Sequence, residues 1–507
     1  MTVPESGNDH HLETAHLQGD LVGRSVRGGA VTLVAQGMKV VLQFGAIVIL
    51  ARLLTPGDFG LFAMVAAFLV VLELLKDLGL STATVQRADI THAQVSTLFW
   101  LNCGLGVAVA AVTAALAPVF AWFFGEPELL YLTPVVALAF LFTGLAAQHL
   151  ALLRRQMRFG AVAAVQLGSE AAGLTAAVIA ALYGLGFWSL VIQRIAWAVV
   201  MAAAGWVVCG WRPSAPGPLR DVRRLVAFGG NTTGAMVIGA LSGNLDKVLI
   251  GWTWGVASLG LFERAQKILQ QPIQNLNTPL ATVALPALSR LVDRPESYRG
   301  FYTGMVQRLT MLMAPVTALS VAAAGPVVEV LLGQQWMGAA PILAWMGVAI
   351  VWLPLTYSLS WLYMSQDRAP EMLRASLISS AIGIVAIVAG VPFGATGVAV
   401  SFAASLILVK CPILFWLVGR RGPVAMRDFY RILAAPIIAT VAAAGAIWAV
   451  RGFTAVDTLP PAAALACFGV LACVVALLVY GGNPDCRRML GGLLRVSDCF
   501  GGKTART

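Results

Sequence analysis

A lysine flanked by two glutamines stands in an otherwise apolar stretch near the start of the chain. Lys39 follows Gln36 by three residues and precedes Gln43 by four, so a helix would place the three side chains on one face. An ionisable group inside a bilayer is costly and usually marks a pathway or a binding site. We therefore expect Lys39 to face a hydrated cavity. The alternative is that its ammonium reaches back to the membrane interface.

A second polar segment follows residue 243, and positions 264, 267, 271 and 274 would share one helical face. Its cations outnumber nearby acids, which predicts an anionic ligand; pairing between neighbours is the alternative. Pro272 is expected to kink this helix because it lacks a backbone donor. The candidates for substrate binding in this segment are Asn244, Lys247, Arg264, Lys267 and Gln271. The candidates for ion coupling in the same segment are Asp246 and Glu263.

Two further ionisable residues stand alone in apolar stretches. Arg194 carries a planar guanidinium suited to phosphate oxygens, although an interhelical hydrogen bond of structural value is equally compatible with its position. Glu170 is the most isolated acid. It could carry a proton during transport, or pair with Lys39 or Arg194.

The elements that must position these residues are membrane-spanning helices. Hydrophobic residues make up 59% of the 507, charged residues 11%, and mean hydropathy is +0.83, whereas soluble proteins carry roughly 25% charged residues. The net charge of +11 lies between apolar stretches rather than in one block, which is typical of membrane orientation. No nucleic-acid partner is expected.

The chain carries no pattern typical of a cofactor, a metal site or an enzyme. Its seven cysteines are scattered without a CxxC pair, and no Walker A loop or hydrolase motif occurs. We expect no cofactor, no metal and no enzymatic activity.

A spanning helix needs roughly 20 mostly apolar residues, and the sequence predicts an all-α membrane protein of about fourteen such helices. The predicted spans are 29–51, 59–76, 95–123, 129–151, 160–183, 187–209, 225–250, 257–279, 303–324, 338–363, 372–391, 395–417, 431–450 and 460–481.

Arginine and lysine fill alternate connections, which orients the chain. One set includes Lys76 and Arg87, then Arg154, Arg155 and Arg158, and the opposite set offers little beyond Arg52 and Arg451. By the positive-inside rule both termini are cytoplasmic.

A weak internal repeat divides the predicted helices into two lobes. Gly-Leu-Phe occurs at 60–62 and again at 260–262, and the Gln156, Arg158 pair returns as Gln366, Arg368. Two six-helix repeats inserted in the same direction imply a pseudo-two-fold axis along the membrane normal, with a site between lobes. The predicted parts are a tail at 1–22, an N-lobe at 23–215, a C-lobe at 216–425, two extra helices at 426–484 and a tail at 485–507.

Several segments resemble bacterial polysaccharide flippases. Residues 51–62, ARLLTPGDFGLF, are similar to the first outside loop of that family, and residues 78–87 to the segment after its second helix. In the second half, 244–250, 260–264 and 285–290 are similar again. The chain is identified as a member of the polysaccharide-transport branch of the MOP (multidrug/oligosaccharidyl-lipid/polysaccharide) exporter superfamily.

The resemblance implies an exporter of the bacterial inner membrane that flips an undecaprenyl-diphosphate-linked oligosaccharide by alternating access, for surface polysaccharides such as lipopolysaccharide or exopolysaccharide. Cavity cations would hold the diphosphate. Implied partners are the lipid-linked oligosaccharide, the bilayer, a coupling proton or sodium ion, and polysaccharide polymerase or export machinery. The alternatives are a lipid II-type flippase and a multidrug or cation antiporter of the same superfamily; a surplus of cavity acids would favour the antiporter.

Overall fold

The computed structural model describes residues 21–87, 90–218, 223–484 and 486–489. Within these ranges the chain is helical and contains no strand. It is a multi-pass all-α membrane protein, as the composition predicts. The predicted tails at 1–22 and 485–507 fall almost entirely outside the described residues.

The chain divides into two compact units, one ending at Glu263 and the other beginning at Arg264. The predicted lobe boundaries at 215 and 425 stay predictions. The helices of the first unit are α1 Leu21–Leu53, α2 Pro56–Asp77, α3 Leu80–Gln86, α4 His92–Ala115, α5 Ala117–Phe124, α6 Leu129–Ala137, α7 Ala139–Arg155, α8 Phe159–Leu182 and α9 Trp188–Cys209.

Helix α10, Arg223–Arg290, begins in the first unit and ends in the second. The remaining helices of the second unit are α11 Pro295–Ala322, α12 Ala324–Leu331, α13 Ala340–Val348, α14 Leu353–Ser365, α15 Ala369–Gly390, α16 Gly394–Ser405, α17 Cys411–Gly419, α18 Met426–Phe453 and α19 Pro461–Gly482. A π-helical segment, Leu406–Lys410, joins α16 to α17.

Eleven helical segments of the described residues are long and apolar enough to cross a membrane. One of them, Ala369–Gly419, contains both predicted spans 372–391 and 395–417. The predicted spans 225–250 and 257–279 both lie inside α10 and are not among the eleven. The segments therefore agree with the predicted order, and the count of fourteen stays a prediction.

Helix α10 is two helices joined at a glycine. Gly255 has a φ of 74° and a ψ of −176°, outside helical values, and glycine adopts a positive φ without steric cost. Pro272 does not end the helix, and the kink expected at Pro272 stays a prediction. The helix runs through Pro272 to Arg290, and Gly255 is its non-helical residue.

Helices α2 and α4 of the first unit begin with side-chain caps. At α2 the Asp58 amide donates to Thr55 Oγ1 over 3.3 Å, and the Thr55 amide donates to Asp58 Oδ2 over 2.9 Å. Thr91 and Gln94 form the same reciprocal pair at the start of α4. These boxes satisfy amides that lack an intrahelical partner, so they fix where each helix starts.

The repeated Gln-x-Arg sequence forms the same turn in both units. Met157 and Asp367, the middle residues, both have a φ of 55°. The Arg158 amide donates to the Leu153 carbonyl over 2.9 Å, and the Arg368 amide donates to the Tyr363 carbonyl over 2.9 Å. The two turns thus close their helices with the same six-residue hydrogen bond.

The last two helices belong to the core of the second unit. Ala318 and Ala322 of α11 pack with Ala443 of α18 and with Phe468 of α19. The Tyr480 hydroxyl at the end of α19 donates to the Met311 carbonyl over 2.9 Å. Small residues allow this close helix packing.

Candidate functional site

A cationic pocket lies among α1, α7 and α8 of the first unit. Its volume is about 240 Å³. It is lined by Thr32, Ala35, Gln36, Lys39, Arg154, Phe159, Val162, Ala163, Gln166 and Leu167. Because Arg154 ends α7 and Phe159 begins α8, the pocket adjoins the α7–α8 connection, which is cytoplasmic in the predicted topology.

The pocket carries positive charge without a compensating acid. Lys39 and Arg154 contribute two cations, and no carboxylate is among the described residues that line it. Neither cation forms an ion pair or a side-chain hydrogen bond within the described part of the chain. Gln36 and Gln166 add amide groups, while Val162 and Leu167 supply apolar wall. Such a site suits an anionic group with several acceptor oxygens.

Only part of the polar face predicted on the first helix lines the pocket. Gln36 and Lys39 line it, whereas Gln43 lies one turn further along, half-buried and outside the lining. Lys39 is fourteen residues before Leu53, the last residue of α1, which is about 21 Å at 1.5 Å per residue. The Lys39 ammonium cannot reach the membrane interface at the Leu53 end of α1. It lies instead in the pocket that Arg154 also lines.

Arg194 lies in an ion-pair network with an acid that the sequence reasoning overlooked. Its Nη2 is 2.6 Å from Glu73 Oε2, and Lys76 Nζ is 2.6 Å from Glu73 Oε1. Lys76 also donates to Thr143 Oγ1 over 2.7 Å. The Arg194 guanidinium stacks 4.7 Å from the Trp197 ring centroid. The positive charge of Arg194 is therefore paired with an acid of the same chain.

Two features of this network differ from expectation. Lys76, which the charge pattern assigns to a connection, is inside α2 and only 4% exposed. Glu73 is an acid within the second predicted span, and its occurrence in an apolar run was the signal that could have revealed it.

Glu170 pairs with neither predicted partner. It is half-buried on α8, one turn beyond the pocket residue Gln166. Among the described residues it forms no ion pair with Lys39 or Arg194, since Arg194 engages Glu73 instead. The structure thus leaves an acid about 6 Å along the helix from the cationic pocket.

The predicted site residues of α10 are placed differently from one another. Lys247 Nζ donates to Asn244 Oδ1 over 2.9 Å, and the Lys247 amide donates to Asp246 Oδ1 over 2.8 Å. Asp246 and Glu263 are buried, and each has interactions with other groups. Asn244 and Lys247 are therefore brought together as a hydrogen-bonded pair.

The three candidates of the second unit do not share one environment. Arg264 is buried, Lys267 is exposed and Gln271 is half-buried. All three have interacting groups. The roles of Arg264, Lys267 and Gln271 in ligand binding stay predictions.

A further intramembrane cation, Lys410, was missed by the sequence reasoning. It ends the π-helical segment Leu406–Lys410, and Pro412 follows in the first turn of α17. Proline has no amide to donate, which explains the widened turn. Within the described chain, Lys410 makes no ion pair. A lysine inside the predicted span 395–417 was the available signal.

Comparison with known proteins identifies relatives over most of the chain. WzxC of Escherichia coli strain K12, a lipopolysaccharide biosynthesis protein, is 24% identical over 75% of this chain and 78% of its own length. ExoT of Rhizobium meliloti strain 1021, a succinoglycan biosynthesis transport protein, is 28% identical over 60% of this chain and 61% of its length. TuaB of Bacillus subtilis strain 168, a teichuronic acid biosynthesis protein, is 24% identical over 60% of this chain and 63% of its own length.

Solved structures show the same fold. The lipid II flippase MurJ, in an inward closed conformation, matches 90% of this chain and 98% of its own with a TM-score of 0.71 at 12% identity. An inward-facing multidrug resistance MATE transporter of the MOP superfamily matches 80% of this chain and 99% of its own, with a TM-score of 0.59 at 13% identity.

The family profile described as polysaccharide biosynthesis protein matches residues 49–341. This range begins in α1, includes the pocket residues of α7 and α8, and ends in α13. The chain belongs to this family of polysaccharide biosynthesis membrane proteins.

Proposed function

We propose that this chain flips an undecaprenyl-diphosphate-linked oligosaccharide across the bacterial inner membrane by alternating access, during synthesis of a surface polysaccharide. The observation that carries the proposal is the pocket in which Lys39 and Arg154 present two cations without a carboxylate. Its relatives by sequence are polysaccharide biosynthesis proteins, among them one termed a transport protein.

The transport problem explains why such a pocket is useful. A diphosphate cannot enter about 30 Å of hydrocarbon without losing its hydration. Lys39 and Arg154 replace part of that hydration with charge-assisted hydrogen bonds, and Gln36 and Gln166 supply neutral donors beside them. The prenyl chain stays in lipid while the head group occupies the pocket.

The orientation follows from the connections. The pocket adjoins the arginine-rich α7–α8 connection, so it opens toward the cytoplasm where lipid-linked oligosaccharides are assembled. Both termini are then cytoplasmic. The pocket in this arrangement is the loading site, and release requires access from the opposite face.

Coupling is assigned to Glu170. This acid has no ionic partner in the described chain and lies one turn beyond the pocket. A proton or sodium ion taken up there removes negative charge beside the diphosphate, so uptake of the ion favours cargo binding and loss of the ion favours release. Asp246 and Glu263 are secondary candidates for the same role.

The proposal is tested by deleting the gene and measuring surface polysaccharide together with lipid-linked intermediates. We expect polysaccharide to be lost and undecaprenyl-diphosphate-linked oligosaccharide to accumulate on the cytoplasmic side. Complementation by the intact gene restores both, and complementation by Lys39→Ala with Arg154→Ala does not. Normal surface polysaccharide in the deletion strain overturns the proposal.

The superfamily alternatives give different outcomes in the same strain. A lipid II flippase would leave surface polysaccharide unchanged and deplete cell-wall precursor export. A multidrug or cation antiporter would change drug resistance instead, and its cargo calls for carboxylates in the pocket, where this chain places Lys39 and Arg154.

A further inference from the structure

One end of the second unit, where α14 meets α15 and α17 meets α18, carries an excess of arginine. Residues 366–374 and 420–431 together contain six arginines and three acids. The predicted topology places both connections on the cytoplasmic side, and the positive-inside rule accounts for the sign of their charge. Which of these arginines have no acid beside them is decided by the structure.

Two of the three acids are engaged in ion pairs with other arginines of this unit. Glu371 Oε2 is 2.7 Å from Arg368 Nη2, and Glu371 Oε1 is 3.6 Å from Arg421 Nη1. Asp428 is buried and pairs with Arg299. These bonds connect the two arginine-rich connections to each other and to the start of α11, and they consume the negative charge of both acids.

Three of the remaining arginines have exposed side chains and no acidic partner. Arg420, Arg427 and Arg431 are exposed, and none of them forms an ion pair within the described part of the chain. The third acid, Asp367, is exposed in the α14–α15 turn and pairs with none of them. The Arg420 guanidinium stacks on Trp416, 4.9 Å from the ring centroid. Helices α17 and α18 therefore present three cations to their surroundings.

The face of α18 that bears Arg427 and Arg431 continues into an exposed apolar surface. Ile438 and Val441 follow on the same helical face and are 59% and 66% exposed. A different face of α18, which includes Ala439, packs against α11 and α19. Because α18 is long and apolar enough to cross a membrane, the exposed aliphatic face is the one that contacts acyl chains. The two arginines stand at the end of that face.

Two aromatic side chains mark the membrane interface at this end. Trp416 and Tyr430 are exposed, and tryptophan and tyrosine are enriched at the level of lipid head groups. The Tyr430 ring is edge-on to Phe415, with 5.7 Å between the ring centroids, so it joins α18 to the segment of α17 that carries Trp416 and Arg420. Arg431 is five residues after the start of α18, about 7.5 Å along the helix axis. The cations thus lie at head-group depth, next to apolar surface.

We propose that Arg420, Arg427 and Arg431 bind the phosphodiester of an anionic phospholipid, such as phosphatidylglycerol, whose acyl chains lie along α18. A guanidinium group donates paired hydrogen bonds to phosphate oxygens, and a phospholipid combines that anion with acyl chains that cover the apolar face. A free phosphate would use the arginines alone. In the predicted topology the lipid belongs to the cytoplasmic leaflet, whose surface attracts basic clusters. The site lies in the second unit, and its existence does not depend on the cargo.

The test is native mass spectrometry of the full chain in detergent, with phosphatidylglycerol and phosphatidylcholine of identical acyl chains added in competition. The site variant replaces all three arginines with glutamine. The matched control makes the same replacement at three exposed arginines of other connections: Arg87→Gln, Arg158→Gln and Arg294→Gln. Both variants lose the same charge, so the comparison separates a located site from a general attraction of lipid to a basic protein.

We expect the wild type and the control to prefer phosphatidylglycerol over phosphatidylcholine by about tenfold, and the site variant to lose most of that preference. Millimolar inorganic phosphate, compared with chloride at equal ionic strength, should leave the bound phosphatidylglycerol in place. Undecaprenyl diphosphate should bind in addition to it, because the proposed cargo site is the pocket of the first unit.

Equal loss of the preference in the control and the site variant would overturn the site. Displacement of phosphatidylglycerol by inorganic phosphate would also overturn it, since the ligand would then be a free anion, and one-for-one displacement by undecaprenyl diphosphate would assign the arginines to the cargo lipid instead. Where the triple variant fails to fold, Arg431→Gln alone decides. A fall in preference of about threefold supports the site, and a preference equal to that of the wild type rejects it.

Discussion

Two groups of intramembrane cations in the first unit differ in whether they form an ion pair with an acid. Glu73 bridges Arg194 and Lys76 at 2.6 Å on each side, so one of the two positive charges is neutralised within the protein. Lys39 and Arg154 share a pocket of about 240 Å³ that no carboxylate of the described residues lines. The first group joins α2 to α9 through Glu73 and Arg194, and we propose that the second group offers its charge to a ligand.

The comparison explains how a cation's role can be distinguished in a membrane protein. A charge at membrane depth must be neutralised, hydrated or exposed to a ligand. Arg194 and Lys39 look alike in the sequence, each a lone cation in an apolar span. Their roles can be distinguished only once Glu73, the acid that pairs with Arg194 from 121 residues away in the chain, is known.

Removing both pocket cations has the largest expected effect. Charge-assisted hydrogen bonds contribute about 1.5–3 kcal/mol each, so Lys39→Ala with Arg154→Ala should reduce transport at least about 100-fold. Lys39→Arg should keep most of it. The measurement is translocation of a fluorescent lipid-linked oligosaccharide in proteoliposomes. Arg158→Ala is the control, because Arg158 is exposed in the same connection and does not line the pocket. An equal loss of transport in the double variant and in Arg158→Ala would show that the pocket cations are no more important than an exposed arginine of the connection.

Breaking the compensated group should damage stability rather than cargo binding. Glu73→Gln leaves the buried Lys76 without its counter-ion, at a cost of about 2 kcal/mol. We expect a lower melting temperature in detergent, with unchanged affinity for undecaprenyl diphosphate in the folded fraction. Glu128→Gln, an exposed acid between α5 and α6, should melt like the wild type. A Glu73→Gln protein with normal stability and weakened affinity for undecaprenyl diphosphate would contradict this, because it would place the Glu73 network in cargo binding.

Lys410 extends the comparison to the second unit. As a cation without an ion pair in the described chain, it resembles Lys39 rather than Arg194. Lys410→Met removes a desolvation cost, so the melting temperature should stay level or rise. Transport should fall about tenfold, the equivalent of about 1.4 kcal/mol. A lower melting temperature together with full transport would place Lys410 in the structural group.

The smallest effect is expected at the Asn244–Lys247 pair. Its 2.9 Å hydrogen bond orients the ammonium, and one such bond contributes about 1 kcal/mol. Asn244→Ala should lower transport about fivefold, and Asn244→Asp should keep the orientation with a stronger acceptor. Transport and melting are measured together on both variants. A drop larger than that of the pocket variants would show that Lys247, rather than Lys39 and Arg154, dominates cargo binding.

The fold was largely predictable because the bilayer fixes the length of each helix and excludes charge from it. The predicted order of spans agrees with the helices, and the repeated Gln156 and Gln366 sequences form the same turn. The kink was harder to predict. Pro272 is accommodated within α10, whereas Gly255 takes up the positive φ that interrupts it.

The site was less predictable because its members lie far apart in the chain. Lys39 and its flanking Gln36 form a local pattern, but Arg154 was assigned to orientation by its place in a connection. The Glu73–Arg194 pair joins two helices that the sequence does not relate. Helical periodicity shows which residues share one face and carries no information on which helix packs opposite.

The most direct test of the cationic pocket is the affinity of the purified full chain for undecaprenyl diphosphate compared with undecaprenol, measured by native mass spectrometry. We expect the wild type and Glu73→Gln to prefer the diphosphate by at least about tenfold, which is about 1.4 kcal/mol. Lys39→Ala with Arg154→Ala should lose that preference while still binding the prenyl chain. An undiminished preference in the double variant would contradict the assignment of Lys39 and Arg154 to the cargo.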